Sequence, residues 1–128
     1  MRRSIRAALT LAAATVMVGS TALPASAEPN PPGCPKGYFC GWSNGEAYPV
    51  GTPSIRTAGN WSGSVSINKF FNNGYAYPGA DHVTMTWYTW DGSGPHSMCV
   101  HYNPGPGQYE GYFGDSVRLV KVRWRGEC

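Results

Sequence analysis

The chain has no H-E-x-x-H pair, no G-x-S-x-G elbow, no glycine-rich phosphate loop opening a helix and no pair of C-x-x-C knuckles. These absences remove the usual sequence basis for a zincin, a serine hydrolase, a nucleotide-binding enzyme or a zinc ribbon. The acids do not pair: Glu46, Asp81, Asp91, Glu110 and Asp115 stand singly among turn residues, where carboxylates commonly accept backbone N–H bonds. The three histidines, His82, His96 and His101, sit beside no motif that would make one a general base. "HSMCVH" (96–101) has ligand-like separations. In a strand, however, its two histidines fall on opposite faces, and an oxidised Cys99 is no thiolate. The expectation is a non-enzyme with no metal and no cofactor.

A surplus of positive charge is missing too, once the first segment is set aside. Arg2, Arg3 and Arg6 precede an apolar run from Ala7 to Val18 and an Ala25-Ser26-Ala27 ending, the three-part layout of a secretory signal. The run is shorter than the roughly 20 residues of a spanning helix, and no second one comes after it. Residues 1–27 are therefore expected to be a signal peptide, giving a secreted, extracellular protein with no membrane in its mature form. Those three arginines account for the formal net charge of +3. The chain beyond them is balanced in charge, which argues against a nucleic-acid partner. The run Arg118, Lys121, Arg123, Arg125 reads as the solvated face of a strand.

The rest is one small domain, with four cysteines and an exported context that point to two disulfides. Counting leaves three connectivities open, while sequence proximity favours Cys34–Cys40 with Cys99–Cys128. Loops of those lengths would contribute roughly 2.4 and 3.6 kcal/mol by chain entropy. Residues 28–33, "EPNPPG", read as a flexible or extended Pro-rich arm, and the β-domain as 34–128. Within it, no stretch longer than a dozen residues has helical spacing, and Gly and Pro recur every few residues. This is an all-β pattern.

"SVSINKFF" alternates Val65, Ile67 and, after Lys69, Phe71; "HVTMTWYTW" alternates Val83, Met85, Trp87 against Thr84, Thr86, Tyr88; "SMCVHY" and "VRLVKVRW" complete the clear strands. Turn signals lie at Asn44-Gly45, Asn73-Gly74, Pro78-Gly79, Asp91-Gly92 and "NPGPG" (103–107). A weak repeat aligns Cys40 with Cys99, and Gly63-Ser64-Val65 with Gly114-Asp115-Ser116-Val117. Two such four-stranded units packed face to face would make a Greek-key sandwich or barrel. Most aromatics should be core. Trp87, Tyr88 and Trp90 are the candidate binding aromatics, able to stack on sugars or peptides if exposed.

Taken together, the export signal, "CPKGYFCGW", "SVSINKFFNNG", "DHVTM", a later cysteine strand and a terminal "RW" resemble a secreted actinobacterial family. It is the peptidase-inhibitor family of the Streptomyces metalloproteinase inhibitor type, and the likeness runs from Cys34 to Cys128. The resemblance implies a βγ-crystallin-like domain of two Greek keys and inhibition of thermolysin-type zinc proteases. It also implies a secreted protease as partner, and a reactive bond at a Cys-Val step, here Cys99–Val100. The chain departs from the family in having no second cysteine just after that bond. The expected protein is a monomer. Competing with inhibition is a cell-surface or polysaccharide-binding β-module. A crystallin-type calcium site is disfavoured, because Ser62–Ser66 and Gly114–Val117 lack most of its oxygen ligands.

Overall fold

A computed structural model describes residues 26–44 and 51–128. The leader expected over 1–27 lies almost wholly outside these residues, as does most of the turn following Asn44. Six strands form: β1 (Tyr38–Trp42), β2 (Ile55–Thr57), β3 (Trp61–Asn73), β4 (His82–Tyr88), β5 (His96–Val100) and β6 (Glu110–Arg125). They make one antiparallel sheet in the order β2-β1-β3-β6-β4-β5, and no described residue is helical. The all-β expectation holds.

The order is symmetric about β3 and β6: β2-β1-β3 on one side is matched by β5-β4-β6 on the other. The sequence repeat therefore aligned the wrong strands. Cys40 lies on β1, in the middle of its group, whereas Cys99 lies on β5, at the edge. Nor are there two separate sheets. Strands β3 and β6 are 13 and 16 residues long, enough for each to serve both halves. The Lys69–Asn73 end of β3 pairs with β1, while the Trp61–Ile67 part pairs with the stretch of β6 that also pairs with β4.

Buried side chains from all six strands meet in a single core: Phe39, Ile55, Ile67, Phe70, Val83, Met85, Val100, Val117, Leu119 and Val122. One face of the sheet therefore curls inward upon itself, giving a β-sandwich-like body. Bulges make this possible by bending the strand and resetting its alternation. A register shift against β6 lies between Ile67 and Lys69. Ile67 and Phe70 consequently both enter the core although three residues apart, and Phe71, expected beside Ile67, faces the other way. A second shift, against β4, falls where β6 passes Val120. It keeps Leu119 and Val122 inward while Arg118, Lys121, Arg123 and Arg125 stay exposed, as expected.

The outer face of β1 and β3 carries a smaller cluster of Cys34, Cys40, Trp42 and Phe71, with Tyr38 and Tyr109 packed against it. Cys40 lies directly across from Phe71, and the Cys34–Cys40 disulfide is part of that cover. Trp42 Nε1 donates to Gly51 O at 3.2 Å. Asn73, expected in a turn with Gly74, instead ends β3 beside Asn72, and both are buried hubs. Asn72 Nδ2 donates to the carbonyls of Asp81 (3.0 Å) and Val100 (3.3 Å), and its Oδ1 accepts from Gly74 N. Asn73 Nδ2 donates to Cys34 O (3.0 Å) and Asn30 Oδ1 (2.8 Å). Apart from the bond to the Asn30 carboxamide, these side chains serve backbone groups of crossing segments. They also tie the 28–33 arm to the body, where Glu28 exchanges two bonds with Asn103.

Candidate functional site

The β4–β5 hairpin turns at Asp91-Gly92, and counting outward from that pair fixes what faces what. Trp87 pairs with His96, Met85 with Met98, Val83 with Val100. The turn is closed by Thr89 N to Ser93 O and Gly92 N to Thr89 O, both at 2.9 Å. Asp91 Oδ1 accepts from Ser93 N at 3.1 Å and also from the Thr89 hydroxyl. These bonds, that of Thr89 foremost, hold the Asp91 carboxyl below its ordinary pKa. Gly92 takes φ +85°, which its lack of a Cβ permits. The result is an ordered loop with Trp90 at its tip, 79% exposed.

Beside this loop lies an open cleft of about 480 Å³ lined by Trp87, Trp90, His96, Phe113, Asp91 and Asp115, among others. Trp87 is its floor: the ring stacks on His96 (centroids 5.7 Å, planes 29° apart) and leans on Phe113 (5.3 Å, 52°). Phe113 in turn packs on core Phe70 at 5.6 Å. An aromatic wall anchored in the core and an exposed indole thus flank the cleft, with carboxylates and serine hydroxyls at its rim. His96 Nε2 is buried and has no hydrogen-bond partner among the described residues.

The three aromatics expected for binding separate here. Trp87 and Trp90 share the cleft, while Tyr88, one residue out of phase on β4, lies under the Arg118 guanidinium at 4.7 Å from its ring centre. Phe113 was missed in sequence, where His96 and Asp115 stand only as part of a local His/Cys run and as a lone turn acid. The turn signal at Asp91-Gly92 would have placed His96 opposite Trp87, but nothing in the pattern of β6 singled out Phe113.

The disulfides are Cys34–Cys40 and Cys99–Cys128, the pairing that proximity favours. The candidate reactive bond is not in a loop. Cys99 and Val100 lie within β5, opposite Thr84 and Val83, and Val100 is 0% exposed. For Val100 to fill a protease pocket, β5 would have to leave the sheet and empty that part of the core. The two serine-rich segments considered for calcium also lie inside strands, β3 and β6.

Two disulfides fit an oxidising, extracellular setting. No helix of the described residues is long and apolar enough to cross a membrane. No family model, curated protein or solved structure matches the chain.

Proposed function

We propose that this is a secreted, non-enzymatic binding module that holds a neutral polysaccharide across the Trp87–Trp90–Phe113 cleft. The observation that carries the reading is Trp90, 79% exposed on an ordered loop beside a second indole. A large apolar ring held in water at the mouth of a cleft is stabilised by stacking on an apolar ligand face. Sugar rings offer such a face, while their hydroxyls match Asp91, Asp115, Ser93 and Ser116 on the lining. The lining contains two carboxylates and no Lys or Arg, so an acidic polymer meets repulsion where a neutral one does not.

In this reading a βγ-crystallin-like pair of Greek keys rests on the family resemblance alone, the single sheet having three strands in each mirrored half. The same loop supports a second reading, inhibition of a secreted protease, as the family resemblance implies. Its turn is preorganised by hydrogen bonds, and a loop already rigid loses little entropy on entering a cleft. The reactive segment would then be 89–95, not Cys99–Val100.

One comparison separates these readings. The purified protein is incubated with insoluble and soluble neutral polysaccharides, and in parallel with secreted metallo- and serine proteases. Retention on a polysaccharide that Trp90→Ala abolishes supports the module. Nanomolar protease inhibition with no polysaccharide retention replaces it by the inhibitor reading.

A further inference from the structure

We propose that His82 and His101, joined by the Glu127 carboxylate, form a site for a divalent transition metal, Zn²⁺ in the first instance. The hairpin register creates it. One step beyond the Val83–Val100 pair come His82, opening β4, and His101, just past β5. Their facing nitrogens, His82 Nε2 and His101 Nδ1, are 2.9 Å apart. Glu127 Oε2 approaches the same His82 Nε2 at 3.4 Å. Two nitrogens bound tetrahedrally to one zinc ion lie roughly 3.3 Å apart, from the usual Zn–N length. Opening by a few tenths of an ångström, together with a turn of the rings that aims both nitrogens at one point, would admit the ion. Glu127 touches His82 but not His101, and its side chain, 76% exposed, has to swing inward to complete the set.

The tautomer favours a metal. His82 Nδ1 lies 2.5 Å from Asp81 Oδ1, and both side chains are buried. A carboxylate only accepts, so Nδ1 carries a proton toward Asp81, while Nε2 shares a hydrogen bond with His101 Nδ1 whose proton a metal would displace, leaving both nitrogens as ligands. A carboxylate behind a histidine, fixing its tautomer and raising its basicity, is the arrangement found behind metal-bound imidazoles. The rings are also held from other sides. Tyr102 packs edge-on against His82 at 5.7 Å, and Gly107 leaves room for His101, since a Cβ there would collide with its ring. Two imidazoles and one carboxylate suit zinc, copper or nickel rather than calcium or magnesium, with a remaining position for water. The site would join the start of β4, the end of β5 and the C-terminal tail that the Cys99–Cys128 bond already holds.

The test uses untagged protein with both disulfides intact, treated with chelator and titrated with Zn²⁺ near neutral pH by calorimetry. One equivalent should bind with a micromolar or lower dissociation constant and raise the melting temperature. His101→Ala should abolish stoichiometric binding. Glu127→Gln, at an exposed position that leaves folding intact, should weaken it about tenfold. Substituting Co²⁺ should give the intense visible bands of a four- or five-coordinate ion. Absence of saturable Zn²⁺ binding, a pale six-coordinate Co²⁺ spectrum, or undiminished affinity in Glu127→Gln would overturn the proposal.

Discussion

Val100 offers the sharpest check on the placement of β5. It is fully buried, faces Val83 across the β4–β5 ladder, and belongs to the core with Met85, Leu119 and Val122. Val100→Ala removes two methyl groups, worth about 0.8 kcal/mol each in transfer from water. The cavity left behind adds to this, for a total of about 2–3 kcal/mol. In a domain of this size, a loss of 1 kcal/mol lowers the melting temperature by roughly 4–8 °C, so a drop of about 10–20 °C is expected. Thermal unfolding followed by circular dichroism, with disulfides intact, measures it. The far-UV spectrum at room temperature should stay that of the parent. A shift of only a degree or two would mean that Val100 sits at the surface, and would restore Cys99–Val100 as an exposed reactive bond. Val100→Asp should fail to fold, because an unpaired charge would replace the methyls in the core.

Other expectations rest on buried polar groups and staples. Asn72→Ala deprives two backbone carbonyls and one N–H of their partner; urea unfolding should show a loss of about 3 kcal/mol, and an unchanged midpoint would refute the hub. Tyr109 is pushed up to about 12, by desolvation first and then by its bond to Glu28. Its folded pKa lies above the ordinary 10.0, so its contribution to stability is complete below pH 10 and is lost between about pH 10 and 12. A spectrophotometric titration should show a late phenol that disappears in Tyr109→Phe; a titration curve unchanged by Tyr109→Phe above about pH 11 would contradict this. Replacing Cys99 and Cys128 together by serine should cost about 3–4 kcal/mol in urea unfolding, and a loss under 1 kcal/mol would show that β6 holds the tail without the bond.

The fold was legible where side chains alternate without interruption. In "HVTMTW" every second residue enters the core, and the reading of β4 needed revision only at its end, where Thr89 and Trp90 leave the strand for the turn. Alternation failed where a bulge resets it, as between Ile67 and Phe70, since a bulge is a backbone event that hydrophobic spacing does not record. The Cys40–Cys99 alignment failed for another reason. Strand order depends on long-range pairing, and two cysteines at similar distances from turns need not occupy equivalent strands. Half of the cleft was visible as a cluster of aromatics on β4 and its loop. Phe113 and Asp115 come from β6, some twenty residues further on, and are brought in only by the sheet. His82 and His101 were readable in principle, since both lie equally far from the Asp91-Gly92 turn; treating His96 and His101 as one local motif hid the pair.

Ligand bound between Trp87 and Trp90, as proposed, would be reported most directly by the indole N–H signals in a ¹H–¹⁵N NMR spectrum. Five tryptophans give five such signals. Two of them report remote places, since Trp42 Nε1 is bonded to Gly51 O and Trp124 Nε1 to Gly59 O. On titration with a soluble oligosaccharide of the polysaccharide that retains the protein, the Trp87 and Trp90 signals should move saturably. Those of Trp42 and Trp124 should stay in place. Movement confined to Trp42 or Trp124, or no movement with any neutral oligosaccharide, would contradict the account.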